Sequence, residues 1–179
     1  MNDRITTPYE GSGARPWDPH APIPAPLVLH RTLVRAEWVD YNAHMSESSY
    51  LLVVGDNSDA FFRYLGIAED YRAGGHSLFT VETHLCHLRE VVRDDPIELT
   101  LQLLDHDAKR LHVFHAMRHA RTDETIATAE QMLLHVDTAT GRTAPMPSYL
   151  TERVAAIAAA HGALPTPEAV GRPMGIRHR

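Results

Sequence analysis

A chain of 179 residues with 44% hydrophobic and 22% charged side chains holds enough apolar material for one globular domain with a sizeable core. Its formal charge of -6 argues against a general nucleic-acid binder. The single cysteine, Cys86, rules out an intrachain disulfide framework and any CxxC site, which suits a reducing cytoplasm.

No apolar run approaches the roughly 20 residues of a membrane span, and the N-terminus lacks the apolar core of a secretory leader. The expectation is a soluble, cytoplasmic protein with neither nucleic acid nor membrane as partner. Residues 1–25, rich in proline and glycine, read as a flexible or surface-hugging arm. Residues 26–161 form the expected domain, and 162–179 a loose tail.

Leu27 to Ala36, rich in Leu and Val, predicts a first strand. Tyr50, Leu51, Val54, Ser58, Phe61, Phe62 and Leu65 then recur at helical spacing, so Ser46 to Leu65 predicts a long helix. Ser46 suits the N-cap, Glu47 the first turn and Gly66 the stop. Gly55 inside this run points to a close packing contact. After Gly74-Gly75, Phe79, Val81, Thr83 and Leu85 alternate with Thr80, Glu82, His84 and Cys86. Asp94-Asp95-Pro96 marks a turn, and Ile97, Leu99, Leu101 and Leu103 give a clean alternating strand. The turns Asp107-Ala108-Lys109-Arg110 and Thr122-Asp123-Glu124 introduce strands from Leu111 to Ala120 and from Thr125 to Val136. Short connections imply an antiparallel meander. An alanine-rich helix over Ser148 to His161 closes the domain. The layout is α+β: one long helix and a sheet that must cover each other's apolar faces.

The junction Trp38-Val39-Asp40-Tyr41-Asn42-Ala43-His44-Met45 carries most chemistry. It sets a carboxylate, an amide and an imidazole just before a helix start, where unpaired N–H groups and a positive dipole end are found. That combination suits attack on a polarised carbonyl. Asp40 also reads simply as the cap of a turn. His112, His115 and His119 fall on one predicted strand and His84 and His87 on another. Residues three apart on a strand face opposite sides, and no HExxH unit is present, so no metal is expected. There is no GxSxG elbow and no phosphate-binding glycine loop.

With Asp40-Tyr41-Asn42-Ala43-His44-Met45 leading into the long helix, the chain resembles the hotdog-fold acyl-CoA thioesterases of the 4-hydroxybenzoyl-CoA thioesterase-like group. Glycine is usual where Ala43 stands. Glu37-Trp38-Val39-Asp40-Tyr41-Asn42, Phe79-Thr80-Val81-Glu82-Thr83-His84-Leu85 and Leu103-Leu104-Asp105-His106-Asp107-Ala108-Lys109-Arg110-Leu111-His112 further resemble the thioesterases fused to, or encoded beside, carnitine dehydrogenase. The resemblance spans about residues 26–161. It implies a curved antiparallel sheet wrapped around one central helix. The implied reaction is hydrolysis of a small acyl-CoA, betainyl-CoA in the subgroup, with no cofactor beyond the CoA of the substrate.

By position in the motif, Asp40 is the implied catalytic carboxylate, as nucleophile or as general base, with Asn42 and His44 in support. Backbone N–H groups near Ser48, Ser49 and Tyr50 are the expected oxyanion donors. A quaternary ammonium needs aromatic faces and carboxylates, so Trp38, Tyr41, Tyr50, Phe79 and Glu82 are pocket candidates. Trp38, Tyr50 and Phe79 read equally as core. Lys109, Arg110 and Arg89 are candidates for the CoA phosphates, and Lys109-Arg110 reads also as a solvated turn. The family implies a homodimer or a dimer of dimers. Alternatives are a non-catalytic acyl-CoA-binding module and a thioesterase for an uncharged short-chain or aromatic acyl-CoA.

Overall fold

The computed structural model describes residues 7–11 and 13–176; the parts of the expected arm and tail on residues 1–6, 12 and 177–179 lie outside the described residues. Strand β1 (Leu27–Leu33) stops before the expected Ala36, because Ala36–Trp38 coil into a single 3-10 turn that carries Trp38 into the core. Helix α1 (Glu47–Leu65) follows, with Ser46 as its extended N-cap and Gly66 in the left-handed region at φ 98. Glycine is needed there on space as well as conformation. A Cβ would lie 2.5 Å from Arg153 Nη1, which donates to the Leu65 carbonyl at 2.7 Å.

A short helix α2 (Glu69–Ala73), with no counterpart among the predicted elements, precedes Gly74-Gly75. The remaining elements are β2 (His76–His87), β3 (Pro96–His106), β4 (Arg110–His119), β5 (Thr125–Asp137), β6 (Arg142–Thr143) and α3 (Ser148–His161). The five long strands form one antiparallel sheet in the order β1-β3-β4-β5-β2. β6 pairs the far end of β5. β1 and β2 therefore sit at opposite edges, and α1, which joins them in sequence, must cross the concave face. This is the expected hotdog arrangement of curved sheet and central helix.

Register and alternation assign each strand's two faces. Leu101 pairs with His115 and His115 with Ala129, so Leu99, Leu101 and Leu103, Leu111, Val113, His115 and Met117, and Ala127, Ala129 and Leu133 line the inner face. All are nearly or fully buried. Tyr50, Val53, Val54, Phe61, Tyr64 and Leu65 supply the facing stripe of α1. β2 departs from simple alternation. Thr80 pairs with Leu133 and Glu82 with Met132, leaving Val81 as an extra, bulged residue. Inner-face positions are thus Leu78 and Thr80 before the bulge, and Thr83, Leu85 and His87 after it.

Residues 7–11 and 13–25 lie along this body. The Trp17 ring sits 5.2 Å from that of Tyr64, Ile23 packs on the core, and the Tyr9 hydroxyl donates to the Leu29 carbonyl at 3.0 Å. At the other end, the Gln102 amide donates to Pro165 O (3.3 Å), and the Gly171 N–H to the Glu130 carboxylate (2.8 Å).

Candidate active site

Asp40 sits at a tight reversal whose hydrogen bonds are all local. The Asp40 N–H donates to His44 O (2.9 Å), the Ala43 N–H to Asp40 O (3.0 Å), and the Asn42 N–H to Asp40 Oδ1 (2.8 Å). The last is an Asx-type bond, which fixes the carboxylate through one oxygen and leaves Oδ2 uncommitted. Ala43 holds φ 63, so the turn keeps the left-handed residue that glycine usually supplies, at some conformational cost. Val39 and Met45 form an antiparallel bridge, and the Ser46 N–H donates to Trp38 O at 2.8 Å. The chain entering Asp40 and the chain leaving for α1 are therefore clamped side by side.

That clamp decides which amides are free. Of the four N–H groups a helix start leaves without intrahelical partners, Ser46 uses Trp38 O, and Ser49 donates back to Ser46 O at 3.0 Å. Tyr50 is the first residue placed for a regular bond to the N-cap carbonyl. The amides of Glu47 and Ser48 remain. Ser48 was among the expected donors; Ser49 and Tyr50 are committed to the helix. The Glu47 amide, also free, was not among the expected donors.

A cleft of about 880 Å³ opens at this helix end, lined by Met45, Glu47, Tyr50, His87, Leu88, Arg89, Glu90 and Glu124. Tyr50 forms its wall: the phenol donates to Arg89 O (3.2 Å) and its ring meets His87 edge-on at 4.8 Å. His44 Nε2 lies 3.4 Å from Glu90 Oε2, tying the Asp40 turn to the rim. Asn42 contributes its backbone to the turn while its residue is exposed. Three carboxylates against one guanidinium, itself paired with Glu124 at 3.3 Å, make the cleft acidic.

The other candidates scatter. Trp38 is 5% exposed and packs in the core, with the Arg35 guanidinium 4.9 Å from its ring centre. Tyr41 is 96% exposed at the tip of the turn. Phe79 and Glu82 both project from the outer face, opposite α1: Phe79 because the Val81 bulge takes it off the face of Thr83 and Leu85, Glu82 because it alternates with Thr83 as the sequence suggested. Arg89 lines the cleft, but Lys109 and Arg110 do not join it. Arg110 aligns across Leu134 with Phe79, eight strand positions before His87, which is about 26 Å along the sheet. Arg110 also pairs with Asp107 at 2.6 Å. Among the described residues no group of three or more His, Cys, Asp or Glu could hold a metal ion, and no helix is long and apolar enough to cross a membrane.

Comparison with known proteins places these features in a family. A Pseudomonas aeruginosa protein named betainyl-CoA thioesterase is 46% identical over 151 residues, covering 84% of this chain and 95% of that one. A Rhizobium protein named L-carnitine dehydrogenase/betainyl-CoA thioesterase is 45% identical over 150 residues; the match spans only 30% of its length. A Staphylococcus aureus protein solved in complex with CoA superposes with a TM-score of 0.76 at 26% identity, covering 88% of this chain and 100% of that one. Residues 34–154, which include the Asp40 turn, α1 and all the strands that curl around it except β1, match the model of the thioesterase-like superfamily, and the chain belongs to that family.

Proposed function

We propose that this protein hydrolyses a small acyl-CoA thioester, with betainyl-CoA as the preferred substrate, to glycine betaine and CoA. One observation carries the reading: the Val39–Met45 clamp ties the turn that holds the Asp40 carboxylate, with one oxygen free, to the start of α1, where two amides are uncommitted. The thioester carbonyl accepts from the Glu47 and Ser48 N–H groups, and Asp40 attacks the carbonyl carbon or takes a proton from the attacking water. Negative charge that develops on the oxygen meets preorganised donors at a positive helix end. With Asp40 as base, the water oxygen bonds to the carbon, and the CoA thiolate leaves and takes up the proton. With Asp40 as nucleophile, thiolate loss leaves an acyl-Asp40 anhydride that water then hydrolyses, regenerating the carboxylate.

The acidic cleft supports a cationic acyl group. Glu47, Glu90 and Glu124 surround the Tyr50 ring, and a quaternary ammonium interacts with carboxylates and aromatic faces without needing a hydrogen bond. Tyr50 is the one pocket candidate from the sequence that takes part. The aligned Pseudomonas relative, matched over nearly its whole length, supports the same substrate.

Phosphate binding calls for a second copy. Arg89 is at the cleft, whereas Lys109 and Arg110 stand at the other end of the sheet. Two-fold pairing of exposed β2 edges would bring the second copy's 107–110 turn toward this cleft. A homodimer therefore completes the CoA site. The lone free thiol of Cys86 suits work in the cytoplasm.

A panel of acyl-CoA esters read by free-thiol release tests the proposal. Betainyl-CoA should turn over at least tenfold faster than butyryl- or propionyl-CoA. Equal rates would remove the cation-selective cleft, and binding without thiol release from any ester would make the protein a non-catalytic module.

A further inference from the structure

The space between α1 and the sheet contains a line of polar side chains that neither the Asp40 turn nor the cleft uses. Asn57 Nδ2 lies 2.9 Å from His115 Nδ1, and His115 Nε2 lies 3.1 Å from Gln131 Oε1. The Ser58 hydroxyl reaches the same oxygen at 3.0 Å, and Gln131 Nε2 donates to Thr83 Oγ1 at 3.1 Å. Asn57 and His115 are fully buried, Gln131 is 3% exposed and Ser58 4%. Apolar side chains of the same size would fill this volume without desolvation cost.

The line has one direction. Burial holds the His115 imidazole neutral, pushing its pKa down to about 4. A neutral ring donates from one nitrogen only. Nε2–H donates to Gln131 Oε1, so Nδ1 accepts from the Asn57 amide. Turning both amides over would leave the Asn57 NH2 where its Oδ1 now sits, buried and without a partner. An orphaned N–H is rarer than an under-satisfied carbonyl oxygen, so the first arrangement holds. Gln131 therefore presents N–H to Thr83, Thr83 accepts, and the Thr83 hydroxyl hydrogen is left to point away from the core.

Thr83 is half-buried on the inner face of the edge strand, next to exposed Thr80. The inner row Thr83, Leu85, His87 leads straight to the cleft, about 13 Å away for four residues of strand. We infer that Thr83 is a specificity-determining residue: its hydroxyl, aimed by the Asn57–His115–Gln131 line, donates a hydrogen bond to a carbonyl oxygen of the bound acyl-CoA. This rests on the proposed acyl-CoA site. A pantetheine amide offers that acceptor, since the thioester carbonyl is taken by the Glu47 and Ser48 amides about 13 Å away.

Binding separates the inference from the catalytic reading. The full-length protein is titrated with CoA and with a non-hydrolysable thioether analogue of the acyl-CoA. Thr83→Val should weaken binding at least tenfold, and Thr83→Ser should stay within about threefold of wild type. The loss should appear equally on CoA and on the thioether, which share the pantetheine arm; a loss on the thioether alone overturns the inference. Unchanged binding by Thr83→Val overturns the inference even if the protein is a thioesterase. Wild type that binds both ligands but releases no thiol overturns the catalytic reading and leaves the Thr83 comparison decisive; wild type that binds neither overturns both. Nitrogen NMR should show His115 as the neutral Nε2–H tautomer in wild type and in Thr83→Val, and an Nδ1–H tautomer would also overturn the inference.

Discussion

At the scale of single residues, Asp40 serves two functions that substitution separates. Oδ1 accepts from the Asn42 amide and Oδ2 is free. Asn in its place keeps the accepting oxygen and loses the charge. Asp40→Asn should therefore retain the melting temperature within about 2 °C while thiol release falls by at least a hundredfold, the scale expected for a lost base or nucleophile. Asp56 gives a contrasting case. It lies on the buried side of α1, where desolvation raises its pKa to about 6, with Arg35 opposing and Asp59 adding to the shift. The native state thus holds a proton that the unfolded chain has lost, so stability falls as pH rises from about 4 through 6. Asp56→Asn should melt higher than wild type at pH 8, and the gap should narrow to about half near pH 5 and close by about pH 4 in thermal scans. The sequence marked Asp40 because its motif is contiguous. It could not mark Glu47, Glu90, Glu124 or His87, which meet only after α1, β2 and the β4–β5 turn are folded together.

At the scale of elements, the start of α1 is the working part, and its capping suggests a backbone test. Glu47 is the first helical residue, where proline fits well, and Ser46 before it is already extended at φ -66 and ψ 150. Glu47→Pro should preserve the helix and delete one amide hydrogen. Thiol release should drop about 100- to 1,000-fold relative to Glu47→Ala, which loses the same carboxylate but keeps the N–H. Equal activity of the two variants would exclude that amide as a donor. The helix itself was readable within one residue, because Ser46, the apolar stripe and Gly66 agree. The strands were readable for a similar reason: turn residues such as Asp94-Asp95-Pro96 bound clean alternation. β2 was found but its faces were misjudged. A bulge adds one residue with no compositional sign, and Val81 looks like any strand valine. That single insertion took Phe79 off the face that the pattern shared with Thr83 and Leu85, while Glu82, after the bulge, keeps the face opposite them. Trp38 was likewise diverted by the unforeseen 3-10 turn at the end of β1.

For the whole molecule, the protomer leaves apolar surface open on the outward side of α1 and along the edge strand β2. On α1, Leu51 and Leu52 are 47% and 37% exposed, and on β2 Phe79 and Val81 are 49% and 54% exposed. β2 is an edge strand with unpaired backbone groups, which invites another strand. Gly55 lies on the same exposed side of α1, and a Cβ there would meet nothing within 4 Å. Within the protomer alone, alanine would favour the helix by up to about 1 kcal/mol, so nothing in this chain requires glycine. The close approach of a second α1 in the proposed homodimer would require it. Gly55→Leu should leave the fold intact, since the protomer has room for the side chain. It should shift sedimentation from dimer to monomer at micromolar concentration. Activity should fall with the dimer, because the second copy's 107–110 turn is then lost from the phosphate site, and the loss should appear mainly as a higher KM. A Gly55→Leu protein that remains a dimer with wild-type KM would place the partner elsewhere, and the far-end Lys109 and Arg110 would then have no part in holding CoA.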